Sequence, residues 1–348
     1  MRGEGVATSA GASQTRFAPQ APAVVEPRAV PHRSAVRESG RDEAWTVAPA
    51  DAGRRLDVWL AERLVIGRAD VRRLLESGRV RVGGRPVGRR EKAAPIEAGA
   101  RIEVAAFATP AERRARPEPD RALVVLAEGP GWIALDKPPG VPVHPLRDDE
   151  TGTLLNALVA RRPAVHGVGE GGLRSGVAHR LDVDTSGVVL FATDEPTWQR
   201  LRAAFREHRV EKVYRAIVLG RLEGAGEIAV PLVVARHRPA YVRVAEPRTP
   251  GARRTSLAWR ALAHGRDVTL VEVRPRTGFL HQIRATFAHL GHPLVGDRTY
   301  ATADPTGAPR HLLHASRIAF DEITAASPDP PDFARELAHL IGPDDARS

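Results

Sequence analysis

The densest cluster of polar side chains in this 348-residue chain is one run, His179-Arg180-Leu181-Asp182-Val183-Asp184-Thr185-Ser186-Gly187. Apolar segments typical of strands flank it, so we expect a turn at the edge of a sheet. Its acidic residues fit the first half of a calcium loop, but such a loop needs Glu at its twelfth position. The twelfth residue from Asp182 is Thr193, which excludes that site. From the residues alone, a turn closed by Asp, Ser and Thr hydrogen bonds remains open.

The composition excludes several other kinds of chemistry. The chain has no cysteine, which rules out a disulfide scaffold, thiol catalysis, a zinc ribbon and an iron–sulfur cluster. His289 and His292 are three residues apart, but no HExxH pattern and no third ligand accompany them. We therefore expect no metal site. Since no glycine-rich nucleotide loop is present either, we expect no cofactor.

The charge of the chain points to an anionic partner. Lys+Arg number 52 against 42 Asp+Glu, a formal net charge of +10, and all but three of the basic residues are arginine. Genomic codon bias is one explanation, but guanidinium groups also suit paired binding of phosphate oxygens. Residues 45–106 hold 13 basic and 8 acidic side chains, which is half of the net charge. Such asymmetry favours a polyanion.

The pattern of composition divides the chain into five parts. We expect a disordered tail over 1–44, a small α/β module over 45–106, a linker over 107–120, an α+β domain over 121–325 and a C-terminal tail with a short helix over 326–348. Helical spacing is found at 57–64, 69–77, 154–159, 195–208, 281–290 and 333–341. Strand patterns are found at 79–82, 101–104, 123–126, 132–135, 177–181, 188–192, 213–219, 268–273 and 312–320.

The larger domain is expected to contain a mixed, mainly antiparallel sheet. The irregular spacing of its strands does not fit regular βαβ units. No apolar run approaches the roughly 18 residues that a membrane span needs, and no signal-peptide block stands at the N-terminus. We therefore expect a cytoplasmic protein, and a monomer, with no membrane contact.

The polar run closely resembles the signature of the RluA-type RNA pseudouridine synthases. Further blocks of that family follow in its order, across about 190 residues. They are Lys137-Pro138-Pro139-Gly140 with His144-Pro145, Lys212-Val213-Tyr214-Arg215-Ala216, Thr277-Gly278 with His281-Gln282-Ile283-Arg284, Gly291-His292-Pro293, Gly296-Asp297 with Tyr300, and His314-Ala315. The 45–106 module resembles the S-four-type RNA-binding domain, which often precedes this catalytic domain.

The resemblance implies an isomerase that detaches a uracil from its ribose, turns it and rejoins it through carbon. It assigns Asp182 as the catalytic carboxylate, acting as nucleophile or as base. Tyr214 would stack on the base, and Arg284 would pair with Asp182 and keep it ionised. Ile283 would form an apolar wall. Without the family, Tyr214 would be an ordinary strand residue and Arg284 a solvated helix residue.

The resemblance also implies that the target base is extruded from the RNA. Arg180 would fill the gap that the base leaves, although a salt bridge with a nearby Asp is the alternative. Large-subunit ribosomal RNA is the expected partner, with transfer RNA and a non-catalytic RNA-binding role as rivals. In the N-terminal module a phosphate-contacting face is expected, formed by Arg68, Arg72, Arg73, Arg79 and Arg81.

The chain departs from the family pattern at two places. Phe279-Leu280 stand where many relatives carry Arg and a small polar residue, and Val183 stands where a basic residue is common. Neither departure touches the assigned catalytic residues. The motif histidines His144, His281 and His314 are interpreted as structural hydrogen-bonding groups.

Overall fold

The computed structural model describes residues 23–24, 42–301 and 303–342. In chain order the strands are β1 (Ala23–Val24), β2 (Glu43–Thr46), β3 (Val80–Val82), β4 (Arg85–Pro86), β5 (Arg101–Val104), β6 (Val124–Gly129), β7 (Trp132–Lys137), β8 (Ser186–Ala192), β9 (Glu211–Leu219), β10 (Ala225–His237), β11 (Ala240–Val244), β12 (Arg253–His264), β13 (Val268–Pro275), β14 (Leu313–Phe320) and β15 (Ile323–Ala326). The α-helices are α1 (Leu56–Arg63), α2 (Arg68–Glu76), α3 (Leu154–Arg161), α4 (Glu195–Arg206), α5 (Gln282–His289) and α6 (Pro331–Leu340).

The N-terminal module is a four-stranded antiparallel sheet packed against two helices. Its strand order is β2-β5-β3-β4. Val71, Leu74 and Leu75 follow helical spacing on α2 and are buried. Ile102 and Val104 alternate along β5 and are buried in the same cluster. The two predicted helices and both predicted strands are present, within one or two residues of their expected ends.

The larger unit is built on one sheet that carries eleven strands of the described residues. Their order is β1-β6-β7-β8-β14-β9-β13-β12-β10-β11, with β15 paired to β14. Neighbours run antiparallel except β8 and β14, which are parallel. This confirms the predicted α+β fold class with a mixed, mainly antiparallel sheet. No helix in the described part of the chain is long and apolar enough to cross a membrane.

Helices cover both faces of the central strands. Leu135 and Phe191 point to the face covered by α3, whereas Ala134 and Leu190 point to the face covered by α4. Because both faces are buried, β8 reads as a continuous apolar run rather than an alternating one. Phe333 of α6 is also fully buried against the sheet, so the C-terminal helix belongs to the core of this unit.

The structure differs from the sequence pattern in several segments. The strand predicted at 177–181 is wrong: Val177 forms one isolated bridge with Phe191, and the rest of the segment is irregular. Val177 and Ala178 are both buried, but the segment lacks the run of paired residues that defines a strand. The long strands β10, β11 and β12 were not predicted. Exposed residues and Pro231 interrupt the apolar pattern of β10.

The parts of the expected tail and linker that the structure describes contact the rest of the chain. Most of the tail expected over 1–44 is outside the described residues, while β1 pairs with β6 and β2 begins at Glu43. The 107–120 segment is irregular backbone that packs on the larger unit. Ala115 is buried there, and the carbonyl of Ala111 accepts the N–H of Gly172. Arg113 lies between Asp70 of α2 and Asp148 of the larger unit.

Gly187 provides a test of the parallel contact between β8 and β14. It has φ +113° and lies opposite Ala315, and an added Cβ would meet the carbonyl oxygen of Ala315 far inside contact distance. We expect Gly187→Ala to lower the free energy of unfolding by at least about 3 kcal/mol, since strain and backbone overlap add. Denaturant unfolding measures it.

Gly291→Ala is the matched control for this substitution. Gly291 also has a positive φ, +83°, but nothing lies within 4 Å of its added Cβ. Only the backbone strain of about 1 kcal/mol is therefore expected there. Equal losses in the two variants would show that the β8–β14 approach is not tight.

Candidate active site

The polar run forms an irregular loop that leads into β8, and its two carboxylates have different surroundings. The Oδ2 atom of Asp182 lies 3.0 Å from Nη1 of Arg284. The Asp182 side chain is about one quarter exposed, at 24%. Asp184 is exposed, and its carboxylate forms no ion pair within the described residues. The structure therefore places Asp182, and not Asp184, in an electrostatically defined position.

Arg284 is a buried guanidinium held by two carboxylates. Its Nε and Nη2 atoms donate to Oδ2 and Oδ1 of Asp297 at 2.7 and 2.8 Å. Burial alone would lower the pKa of Arg284, but Asp297 and Asp182 raise it above its usual value. For Asp297, burial favours the neutral acid, and the hydrogen bonds from Arg284 outweigh this and lower the pKa. Both groups are therefore charged at neutral pH.

The backbone of the loop is held at three consecutive carbonyls. The carbonyl of Asp182 accepts the N–H of Thr185, and that of Val183 accepts the N–H of Gly140 and Nζ of Lys137, the latter at 2.6 Å. The carbonyl of Asp184 accepts Nη1 of Arg310 at 3.0 Å. The loop is thus fixed by segments that lie far before and after it in the chain.

Lys137 is fully buried and serves as a three-way donor. Its Nζ also lies 2.9 Å from the carbonyl oxygen of Pro138 and 2.7 Å from that of Val141. Burial lowers the pKa of Lys137 to about 7. The three acceptors favour the ammonium form, because a neutral amine has only two N–H groups.

Histidines brace the same loop in their neutral form. Nε2 of His179 accepts the N–H of Leu190, and burial lowers the pKa of His179 to about 3. His311 lies 2.8 Å from the hydroxyl of Thr185, and burial lowers its pKa to about 4. His314 hydrogen-bonds the hydroxyl of Ser186. Among the described residues, no group of three His, Asp or Glu side chains could hold a metal ion.

An apolar wall stands beside the Asp182 carboxylate. Tyr214 of β9 and Ile283 of α5 lie in one hydrophobic cluster with Val273 and Phe287. Burial, followed by the nearby charge of Asp182, raises the pKa of the Tyr214 phenol. The phenol therefore keeps its proton at neutral pH. The structure brings Asp182, Tyr214, Arg284 and Ile283 together, as the sequence predicts for the site.

Arg180 is exposed at the start of the loop. No carboxylate lies within ion-pair distance of it in the described part of the chain, so the salt bridge considered as an alternative is not present. Burial of part of the side chain and the positive charge of Arg174 lower its pKa.

The five arginines predicted in the N-terminal module do not share one cavity. Arg68 and Arg72 line a cavity of about 260 Å³ together with Arg55 and Lys92. The buried carboxylate of Asp57 lies at its base and binds both Arg55 and Arg68 at 3.0 Å. The other three have local partners: Arg73 pairs with Asp70, Arg79 donates to the carbonyl of Ala106, and Arg81 donates to that of Gly84.

Sequence reasoning missed the groups that support the site. Asp297, Lys137 and His311 are buried polar residues with defined partners around Asp182 and Arg284. Asp297 and Lys137 lie in the motif blocks, but the sequence analysis assigns neither of them a function. His311 lies outside those blocks, three residues before His314. A lysine at the end of a strand that begins with four apolar residues, as Lys137 is in β7, is the signal that could have indicated a buried support.

Comparisons with known proteins agree with this geometry. A model of the RNA pseudouridylate synthase family matches residues 131–289. An uncharacterized RNA pseudouridine synthase of Synechocystis is 33% identical over 306 residues, which cover 84% of this chain and 91% of that protein. The ribosomal large subunit pseudouridine synthase D of Yersinia pestis is 32% identical over 273 residues, 78% of each chain. The solved structure of human RNA pseudouridylate synthase domain containing 1 has a TM-score of 0.51 and 25% identity, over 62% of this chain and 87% of that one.

The chain therefore belongs to the RNA pseudouridine synthases, a family of isomerases. Within them it is of the RluA type, as its motif blocks indicated.

The pairing of Arg284 with Asp297 can be tested through stability. Asp297→Asn removes the negative charge that contributes most to neutralising the buried Arg284 guanidinium. We expect the free energy of unfolding to fall by about 3 kcal/mol, as for other broken buried ion pairs. The control Glu211→Gln removes a half-exposed carboxylate that pairs with Arg274 and Arg317, and should cost less than about 1 kcal/mol. Similar small losses in denaturant unfolding would contradict a structural role for the Asp297 pair.

Proposed function

We propose that this chain converts uridine to pseudouridine in large-subunit ribosomal RNA, with Asp182 as the catalytic carboxylate. The observation that carries the proposal is the Asp182–Arg284 contact beside Tyr214 and Ile283. Relatives named ribosomal large subunit pseudouridine synthase D support the ribosomal substrate.

The reaction balances without an external reactant. The bond from ribose C1′ to uracil N1 breaks, a bond from C1′ to C5 forms, N1 gains a proton and C5 loses one. Asp182 begins the reaction either by attacking C1′ or by removing a proton from the ribose, and both routes need an ionised carboxylate. Arg284 orients that carboxylate, because its Nη1 atom donates to Oδ2 at 3.0 Å.

Tyr214 and Ile283 act on the detached base. The ring of Tyr214 stacks on the uracil. Because the phenol stays protonated, its hydroxyl is a hydrogen-bonding group near C5 rather than an anionic base. The apolar cluster around both residues limits the entry of water, which would otherwise capture the ribose.

Access to a base inside folded RNA requires extrusion. Arg180 is exposed and has no ion-pair partner in the described residues, so its guanidinium can enter the stack where the base leaves. In the N-terminal module, we assign the cavity around Arg68 and Arg72 as a phosphate contact. This is in line with an S-four-type RNA-binding role.

A second basic surface lies next to the site. From Arg236 to Arg254, the tip of the β10–β11 hairpin, the loop that follows it and the first two residues of β12 carry six exposed arginines and one carboxylate, that of Glu246. None of the six forms an ion pair with a described residue; they are Arg236, Arg238, Arg243, Arg248, Arg253 and Arg254. We assign this basic hairpin to the RNA backbone.

The catalytic assignment is tested by release of tritium from RNA labelled at C5 of uracil. Asp182→Asn removes the charge and keeps the shape, so we expect turnover to fall by at least about 10⁴-fold with RNA binding unchanged. Asp184→Asn, two residues away in the same loop, should stay within a few-fold of the parent enzyme. Large-subunit ribosomal, small-subunit ribosomal and transfer RNA are compared as substrates. Turnover retained by Asp182→Asn would refute the assignment, and release confined to transfer RNA would refute the substrate.

The basic hairpin is tested by the salt dependence of RNA binding. The triple change Arg236→Gln, Arg238→Gln and Arg243→Gln should weaken binding and reduce the slope of log K against log salt by about 2 to 3, near one for each lost phosphate contact. The control changes Arg221, Arg274 and Arg335 to Gln, which removes the same charge from arginines that already pair with carboxylates. Equal slopes in the two variants would show that only net charge matters.

A further inference from the structure

His281 occupies an unusual backbone position at the start of α5. It is the N-cap of the helix, with φ 50° and ψ 22°, in the left-handed region that non-glycine residues rarely adopt. N-cap side chains usually bind the helix backbone, but that of His281 makes no capping hydrogen bond. The strain and the missing cap are both consistent with an imidazole that is needed elsewhere.

The imidazole is oriented by Tyr300. The hydroxyl oxygen of Tyr300 lies 3.0 Å from Nδ1 of His281 and accepts the N–H of Val242 at 2.9 Å. Burial raises the pKa of Tyr300 to about 12, so the phenol keeps its proton. The N–H that Val242 donates to the phenol oxygen favours donation of the phenol proton to Nδ1, and the hydrogen of the neutral imidazole is on Nε2 in that arrangement. Stacking with Tyr241, at 5.3 Å between ring centroids, fixes the Tyr300 ring.

Nε2 of His281 faces the carboxylate of Asp182. It lies 3.7 Å from Oδ2, the same oxygen that Arg284 contacts at 3.0 Å. Within the described residues, Oδ1 of Asp182 has no hydrogen-bond or ion-pair partner. Arg284 at hydrogen-bond distance and His281 at a longer distance therefore face the same carboxylate oxygen, and no described residue contacts the other one.

We propose that His281 is a positioning residue for Asp182, holding Oδ2 together with Arg284 so that Oδ1 is the atom that reacts with the ribose. This inference rests on the proposed catalytic role of Asp182. Tyr300 acts one step further back, by fixing the proton of His281 on Nε2.

His281 performs this role as a neutral imidazole. The charged groups that face it are Asp182 from the loop, Arg284 from its own helix and Asp297 from the following loop, with Tyr300 as the neutral partner. Burial lowers the pKa of His281, and Arg284 acts in the same direction, against the two carboxylates. A neutral donor orients the carboxylate without adding a second full positive charge, which would weaken the attack by Oδ1.

Two substitutions at His281 separate positioning from packing. His281→Gln keeps an N–H donor for Asp182 and an acceptor for Tyr300, whereas His281→Leu keeps neither, and both place a side chain in the same left-handed backbone. In single-turnover tritium release, we expect the Leu variant to be slower by about 10- to 100-fold with unchanged RNA affinity, and the Gln variant to stay within about threefold of the parent enzyme. A Leu variant as fast as the parent, or a Gln variant as slow as Leu, would overturn the proposal.

Tyr300→Phe tests the second step. This substitution should slow tritium release in the parent chain. It should have no further effect in the His281→Leu chain, because Tyr300 acts on Asp182 only through His281. Independent effects of the two changes would contradict that path. The Asp182→Asn variant is measured alongside: if it were active, the catalytic assignment would fail, whereas a failure of the His281 proposal leaves it inactive.

The arrangement can also be measured without activity. Nitrogen chemical shifts of the His281 ring report which nitrogen carries the hydrogen. In the parent chain we expect the hydrogen of the His281 ring to be on Nε2. In Tyr300→Phe we expect this preference for the Nε2–H tautomer to be lost. A ring protonated on Nδ1 in the parent chain would overturn the proposal even if no RNA substrate were turned over.

Discussion

A buried guanidinium must be neutralised, and the way Arg284 is neutralised determines the rest of the site. The fork of an arginine is planar and rigid, so fixing two of its nitrogens fixes the third. Asp297 binds Nε and Nη2, which leaves Nη1 directed at Asp182. Asp297 thus neutralises and orients the guanidinium, and the oriented guanidinium in turn fixes the direction of the Asp182 carboxylate. The site depends on this division of work between two chemically identical groups.

The sequence was sufficient to propose the reactive residues and much less so to find the residues that support them. Asp182, Tyr214 and Arg284 could be identified because they stand in a specific order of motif blocks. Asp297 and Lys137 could not be given roles, because a buried ion pair or a buried ammonium is recognised only when its distant partners are known. Lys137 lies 46 positions before Val183, whose carbonyl it binds, and no local pattern relates the two.

The fold shows the same limit. Strands such as β5 and β13 were predicted because their own side chains alternate or form apolar runs. Strands β10 to β12 were missed because much of their length is exposed and they are stabilised mainly by pairing with each other and with β13. The segment 177–181 failed in the opposite way, since its apolar residues Val177 and Ala178 are buried although the segment is not a strand. Burial pattern and backbone pairing are separate properties, and the sequence reports mainly the first.

The position of β14 in the sheet has a consequence for how the protein matures on the ribosome. This strand is near the end of the chain, yet it lies between β8 and β9 in the middle of the sheet. Arg310, which holds the carbonyl of Asp184, immediately precedes it. The Asp182 loop therefore cannot gain this contact until Arg310 has been synthesised, and a nascent chain without β14 lacks the strand that lies between β8 and β9, beside the Asp182 loop. Because β14 is inserted late, the protein can become active only when its sheet is complete.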